Sequence, residues 1–295
     1  MENTARIVDD IVVWGDGDSI PEAEQNHDVH LETLMKRVKA ANVSLNAGKL
    51  KYRCQEVSFA GYILSSEGHR ADPEKVRAIT NMSHPENITE LRRFCGMVNY
   101  LAKYIKDLAS TMEPLHQLTR KDTIWEWRPE HEAAFRMTKE ALVTAPTLTF
   151  FNGKKATVLQ CDASQYGLGA AILQDGRPVA YASRAMTTTE KNYAQIEKEL
   201  LAVLFGCEKF DTYTFGRVIK IESYHKPLQT IVKKPIAQAP KRLQRMLLKL
   251  QRYQFDLIYR KGSDMHLADT LSRLRHRDGD DARSQSQFEK DIETI

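Results

Sequence analysis

Apolar and polar positions alternate from Ile7 to Trp14 around a double acid, IVDDIVVW, which predicts a strand pair turning at Asp9 and Asp10. The turn-rich segment GDGDSIPEAEQN follows, and Leu31, Leu34, Met35 and Val38 then stand at helical spacing over His30 to Ala41. Val57 to Leu64 predicts another short strand, and SSEGHRADPEK a turn leading to a helix that starts near Pro73. From there to Leu142 the period is helical. Val76 and Ile79 carry it first, then Leu91, Phe94, Val98 and Leu101 after an Asn87 start, then Ala133 to Leu142 after Pro129.

The pattern changes at Ala145-Pro146. Thr147 to Phe151, Ala156 to Cys161, Gly169 to Gln174 and Pro178 to Ser183 are short β-type runs split by Asn-Gly, Gly and Asp-Gly turn signals, as in a meander. Glu190 to Phe210 predicts one long helix with Ile196, Leu200, Val203 and Leu204 on its apolar face. A strand at Val218 to Ser223, a basic helix at Arg242 to Tyr253, a strand at Phe255 to Tyr259 and a last helix at His266 to Arg273 complete the order. Strands interleaved with helices in this way predict an α/β domain. The polar tail after Arg275 has almost no apolar pattern and predicts disorder.

Composition adds limits. The 295 residues suit about two domains, and 42% apolar content is ordinary for a chain that buries a core. No run of eighteen apolar residues exists and Met1 to Asp10 lacks the regions of a signal peptide, so the expectation is an intracellular chain without a membrane span. The four cysteines, Cys54, Cys95, Cys161 and Cys207, stand far apart with no CxxC pairing, which argues for buried or half-buried thiols rather than a zinc site or disulfides. Net charge is only +4, yet Lys233, Lys234, Lys241, Arg242, Arg245, Lys249, Arg252, Arg260 and Lys261 crowd one region. Such a cluster is either the footprint of a phosphate-backbone partner or a solvated face.

Three acids fall at informative places: Asp162 after an apolar strand, Glu199 within the long helix and Asp269 in the last helix. Carboxylates among apolar neighbours are costly unless they bind a cation or find partners, so a shared metal site is one reading and helix caps are the other. The chemistry that suits such a set is phosphodiester hydrolysis with two Mg²⁺ ions about 3.5–4 Å apart.

Longer motifs carry a resemblance. CDASQYGLGAAILQDGRPVAYASRAMTTTEKNYAQIEKELLAVLFGCEKFDTYTFG, then HKPL, then RLQRMLLKLQRYQFDLIYRKGSDMHLADTLSR closely resemble the RNase H domain of gypsy-like LTR retrotransposon Pol polyproteins, from Leu148 to Arg273. Upstream, IVDDIVVWG resembles the Tyr-x-Asp-Asp turn of the family's palm, FAGYILSSEGHRADPEKV its primer-grip hairpin, and LRRFCGMVNYLAKYIKDLA with WEWRPEHEAAFRMTKEAL its thumb and connection helices.

The resemblance implies an RNase H-like mixed sheet with flanking helices (147–275), preceded by a partial reverse-transcriptase palm (1–72) and a helical thumb and connection (73–146), with a polar tail (276–295). It implies RNA-directed DNA synthesis at Asp9 and Asp10, and Mg²⁺- or Mn²⁺-dependent cleavage of RNA in RNA–DNA hybrids at Asp162, Glu199 and Asp269. Lys241, Arg242, Arg245, Lys249 and Arg252 would face phosphates of the hybrid or of a template–primer. Association with other Pol-derived chains, and work in the cytoplasm and then the nucleus, follow from the same likeness.

Departures from the family matter as much. Its RNase H site uses four carboxylates, and the aspartate before His-Lys-Pro-Leu is here Tyr224. A tyrosine hydroxyl is neutral at pH 7 and a poor ligand for Mg²⁺. Glu222, two residues earlier on the strand, is the only nearby acid that could compensate. Ile7 replaces the usual tyrosine before the Asp-Asp pair, and the fingers and first half of the palm are missing. The expectation is therefore that polymerisation is lost and hydrolysis impaired. The rivals are a non-catalytic nucleic-acid-binding module and an inert relic. Trp125 and Trp127 are expected to anchor the helical region to the RNase H domain rather than to stack on bases.

Overall fold

The structure is a computed structural model and describes residues 2–121 and 123–260. The last predicted helix, the tail and Asp269 lie outside the described residues. The chain opens with a hairpin, β1 (Thr4–Ile7) and β2 (Asp10–Val13), followed by α1 (Ile20–Ala40). That helix starts ten residues before the apolar period that predicted it. Ser19 caps it by accepting from the Glu22 N–H, and Pro21 supplies a φ already suited to the first turn.

A second, three-stranded antiparallel sheet holds β3 (Glu56–Phe59), β4 (Tyr62–Ser65) and β5 (Gly68–Ala71). The predicted single strand is thus a hairpin, because Ala60 and Gly61 both take positive φ and reverse the chain in two residues. Then come α2 (Pro73–Thr80), α3 (Ile88–Tyr100), α4 (Leu108–Leu118) and α5 (Pro129–Val143). Asp72 and Asn87 cap α2 and α3 through their side chains, as the sequence signals require.

The third sheet is mixed and five-stranded, in the order β10-β9-β6-β7-β8. It comprises β6 (Val158–Ala163), β7 (Gly167–Gln174), β8 (Arg177–Ala185), β9 (Val218–Ser223) and β10 (Gln254–Tyr259), with α6 (Thr188–Lys191), α7 (Gln195–Lys209), α8 (Asp211–Thr214), α9 (Lys226–Lys233) and α10 (Lys241–Leu250) in its connections. Strands β6, β7 and β8 are antiparallel neighbours, while β9 runs parallel to both β6 and β10. Asp175 and Gly176, both at positive φ, make the two-residue turn from β7 to β8.

Two differences from the sequence reading have local causes. The long helix over Glu190 to Phe210 is broken between α6 and α7. Thr187 and Glu190 close a capping box on one short turn, and the Glu197 carboxylate accepts from the Ala194 N–H to begin a new helix. Thr147 to Phe151 is not a strand of the large sheet; Leu148 instead bridges His69 through two backbone hydrogen bonds of 2.8 and 2.9 Å.

All eight residues of β7 are buried, because the sheet is covered on both sides. On one side α7 and α10 pack Leu200, Val203, Leu243 and Leu247 against Leu159, Cys161 and Ile172. Gly206 lets α7 lie close, since a Cβ there would come within 2.8 Å of the Cys161 Sγ. On the other side, Leu101, Tyr104, Leu108 and Met112 of the helical region join Ala171, Leu173 and Tyr181 in one continuous core. Trp125 and Trp127 are partly buried against this shared core. Trp127 lies among His84, His131, Phe135 and Trp125, and its Nε1 donates to Glu132, all within residues 84–135. Cys95, Cys161 and Cys207 are buried as expected, whereas Cys54 is exposed.

Candidate functional site

At the N-terminal hairpin, Val8 and Asp9 form the turn and Asp10 opens β2 opposite Ile7. Val8 has φ of 51°, a conformation that β-branched residues avoid, and is 78% exposed. Strain of that kind collects at functional turns. Both acids are exposed, and among the described residues no group of three His, Cys, Asp or Glu side chains is placed to hold a metal ion.

The second candidate lies on the large sheet. Asp162 belongs to β6 and is half-buried, and Glu199 projects from the first half of α7 with only 5% of its surface exposed. The Glu199 Oε1 accepts from the Gln195 Nε2 at 2.8 Å, while its Oε2 is buried with no hydrogen-bond partner. Burial pushes the Glu199 carboxyl up to about 7, the nearby Asp162 charge pushes the same way, and the Gln195 bond opposes both. A buried carboxylate oxygen left unsatisfied is a group waiting for a proton or a cation.

Tyr224 is the residue after the last rung of the β9 ladder, where Cys161 pairs with Ser223. Continued by one residue, that parallel register runs from Ser223 and Cys161 to positions 224 and 162. The possible substitute is committed elsewhere: Glu222 is 7% exposed, accepts from the Gln160 Nε2 at 3.1 Å and from the Arg260 Nε at 3.1 Å, and has Lys220 at 3.9 Å. These partners satisfy its burial. Asp162 and Glu199 are hard oxygen donors of the right chemistry, but by themselves they do not make up a divalent-metal site.

The basic helix is also different from its sequence reading. On α10 and just beyond it, Arg242 donates to Glu197 at 2.7 Å, Lys249 meets Glu208 at 3.4 Å, and Arg252 meets Asp211 at 3.1 Å. The Arg242 guanidinium also lies 4.2 Å from the centroid of the Tyr193 ring. Three of the five cations assigned to phosphates are therefore paired with acids of α7 and α8. Two of those acids had a signal in the sequence, since positions 197 and 208 fall on one stripe of a helix with 3.6 residues per turn, whereas Asp211 begins the separate α8. Gln195, which holds Glu199, had none.

Comparison with known proteins places this geometry. Residues 127–221 match the model of the RNase H-like domain found in reverse transcriptase. The chain is 32% identical over 274 residues to the Transposon Tf2-3 polyprotein of Schizosaccharomyces pombe, covering 90% of itself and 20% of that polyprotein. It is 33% identical over 259 residues to the Tf2-7 polyprotein of the same yeast. The chain is a homologue of these retrotransposon polyproteins, a reverse transcriptase–RNase H-like fragment that spans about a fifth of their length.

Solved structures agree on the fold. The foamy viral protease-reverse transcriptase dRH in complex with double-stranded DNA superposes with a TM-score of 0.74 at 24% identity, over 88% of this chain and 46% of that one. The corresponding enzyme with an RNA/DNA hybrid gives 0.73 at 23% identity, over 89% of this chain and 36% of that one. The retrotransposon fragment thus keeps the reverse transcriptase–RNase H architecture through the helices and the large sheet together. RNase H-like domains of this kind depend in general on divalent metal, and the family match begins at Trp127, inside the helical region that covers the sheet.

Proposed function

We propose that this fragment binds RNA–DNA hybrid or template–primer and that its RNase H centre is disarmed at one position, Tyr224. The observation that carries the reading is the Glu199 Oε2, buried without a partner beside Asp162, at the strand end where a tyrosine stands in place of an acid. The foamy viral relatives were captured with duplex DNA and with hybrid, which supports the same partner class here. In this reading residues 1–72 correspond to part of a polymerase palm. Asp9 and Asp10 would form its acidic turn. Mg²⁺ or Mn²⁺ is the cofactor that a restored carboxylate set would take.

The test is cleavage of a labelled RNA–DNA hybrid by the full chain in Mg²⁺ and in Mn²⁺. The full chain is needed because α4 covers one face of the sheet. The native protein should cut no faster than Asp162→Asn, and Tyr224→Asp should cut about 100-fold faster or more, since even outer-shell changes at metal sites are worth 10–100-fold. Cutting by the native protein that Asp162→Asn abolishes would overturn the reading.

A further inference from the structure

The cations of α10 fall into two sets. Arg242 is held by Glu197 and the Tyr193 ring, and its charge is largely matched. Lys241 and Arg245 are exposed and form no ion pair among the described residues. Lys241, Arg245 and Lys249 follow one another at intervals of four, so they make a single row with about 6 Å of rise per step. Like charges at that spacing repel within an isolated helix. The first turn of α10 adds to the imbalance, holding Lys241 and Arg242 with no acid and no side-chain cap.

The row opens on a shallow cleft of about 420 Å³ between α7 and α10. Tyr193, Leu201, Leu204 and Met246 form its apolar wall, and no acidic residue is in its lining. An open cleft of this kind does not enclose a small anion as a ligand pocket would. A linear row suits a linear polyanion. Lys241 to Lys249 spans about 12 Å of helix rise, which covers about three to four nucleotides at 3.4 Å each along one strand.

We propose that Lys241, Arg245 and Lys249 track one strand of a nucleic-acid backbone, Lys241 and Arg245 each on a phosphate and Lys249 exchanging Glu208 for a third. The inference rests on the nucleic-acid reading above and deepens it by separating phosphate-bound cations from structural ones. The exchange is cheap because the Lys249–Glu208 pair is exposed, with side chains 64% and 49% accessible. Cations that meet only phosphates position a strand without reading its sequence.

The experiment is fluorescence anisotropy of the full chain with a labelled RNA–DNA hybrid over a salt series. Lys241→Gln/Arg245→Gln should weaken binding and reduce the slope of log K against log salt by about 2, one for each phosphate no longer neutralised. Arg242→Gln should leave the slope unchanged, and Glu208→Gln should tighten binding by freeing Lys249. Inorganic phosphate at matched ionic strength should not compete; strong competition would assign the cleft to free phosphate and overturn the proposal. A double variant with the native slope, or an Arg242→Gln variant as weak as the double variant, would also overturn it while leaving nucleic-acid binding intact. A folded native chain that does not bind hybrid at all would sink the underlying reading.

Discussion

The N-terminal hairpin with α1 and the five-stranded sheet obey the same local rules and reach opposite results. Both have paired strands, and both start helices with capped first turns. No residue of β1, β2 or α1 is buried, whereas every residue of β7 is. The difference is the second layer. Strand β7 lies between α7 on one side and α4 on the other, while α1 has beside it the hairpin and the exposed Tyr52–Arg53 segment, which meets it through Glu24, His27 and Asp28. Caps and the fully exposed Glu32–Lys36 pair on α1 cannot replace a buried face. The RNase H-like sheet therefore sets the stability of this molecule, and the hairpin that carries Asp9 and Asp10 does not.

The strongest attack on that comparison is a cavity in the sheet. Ile172 is fully buried in β7, and Ile172→Ala should cost about 2–5 kcal/mol, read as a lower midpoint in urea with an unchanged slope. A cost under about 0.5 kcal/mol would mean that the sheet is not the stabilising unit.

The same contrast explains what the sequence made legible. The run GLGAAILQ could be read as a buried strand because β7 is apolar along its length, and the Asp-Gly turn fixed its hairpin partner. Asp162, Glu199 and Tyr224 could be located by their motif. The parallel register of β6 and β9, continued by one residue, then runs to positions 224 and 162. What remained hidden was long-range pairing. Nothing local says that Glu222 is met by Arg260 across β10, that Arg242 is met by Glu197, or that Leu108 and Met112 cover the back of the sheet. These pairs join residues far apart in the chain, and their partners are chosen by packing rather than by period.

The next effect is smaller, and its sign is opposite. Glu199 titrates near 7 in the folded protein against an ordinary value of 4.5. Between those values the folded state holds more protons than the unfolded state, so stability falls as pH rises from about 4.5 to 7 and stays reduced above. Glu199→Gln retains an oxygen for Gln195 and removes the buried charge. At pH 8 it should stabilise the protein by up to about 3 kcal/mol, at 1.36 kcal/mol for each pKa unit, and at pH 4 by almost nothing. Denaturation of both proteins at the two pH values checks this. Equal stability at pH 8 would mean that Glu199 is solvated or already neutralised by a partner, and that the sheet does not carry the cost of a buried, unpaired carboxylate.

The smallest expected effect sharpens the comparison from the other end. Met35 is on α1 and is 49% exposed, so Met35→Ala leaves no cavity and exchanges one good helix former for a better one. The global unfolding midpoint should move by less than about 0.5 kcal/mol. Hydrogen exchange separates the two regions within one sample: amides of α1 should exchange through local opening, and those of β7 only with global unfolding. If Met35→Ala cost as much as Ile172→Ala, α1 would have to be packed against something in solution, and a second chain covering Val29 and Met35 would be detected as a concentration-dependent midpoint. A midpoint independent of concentration, with early exchange in α1, would leave the hairpin and its two aspartates as an appendage on a stable RNase H-like body.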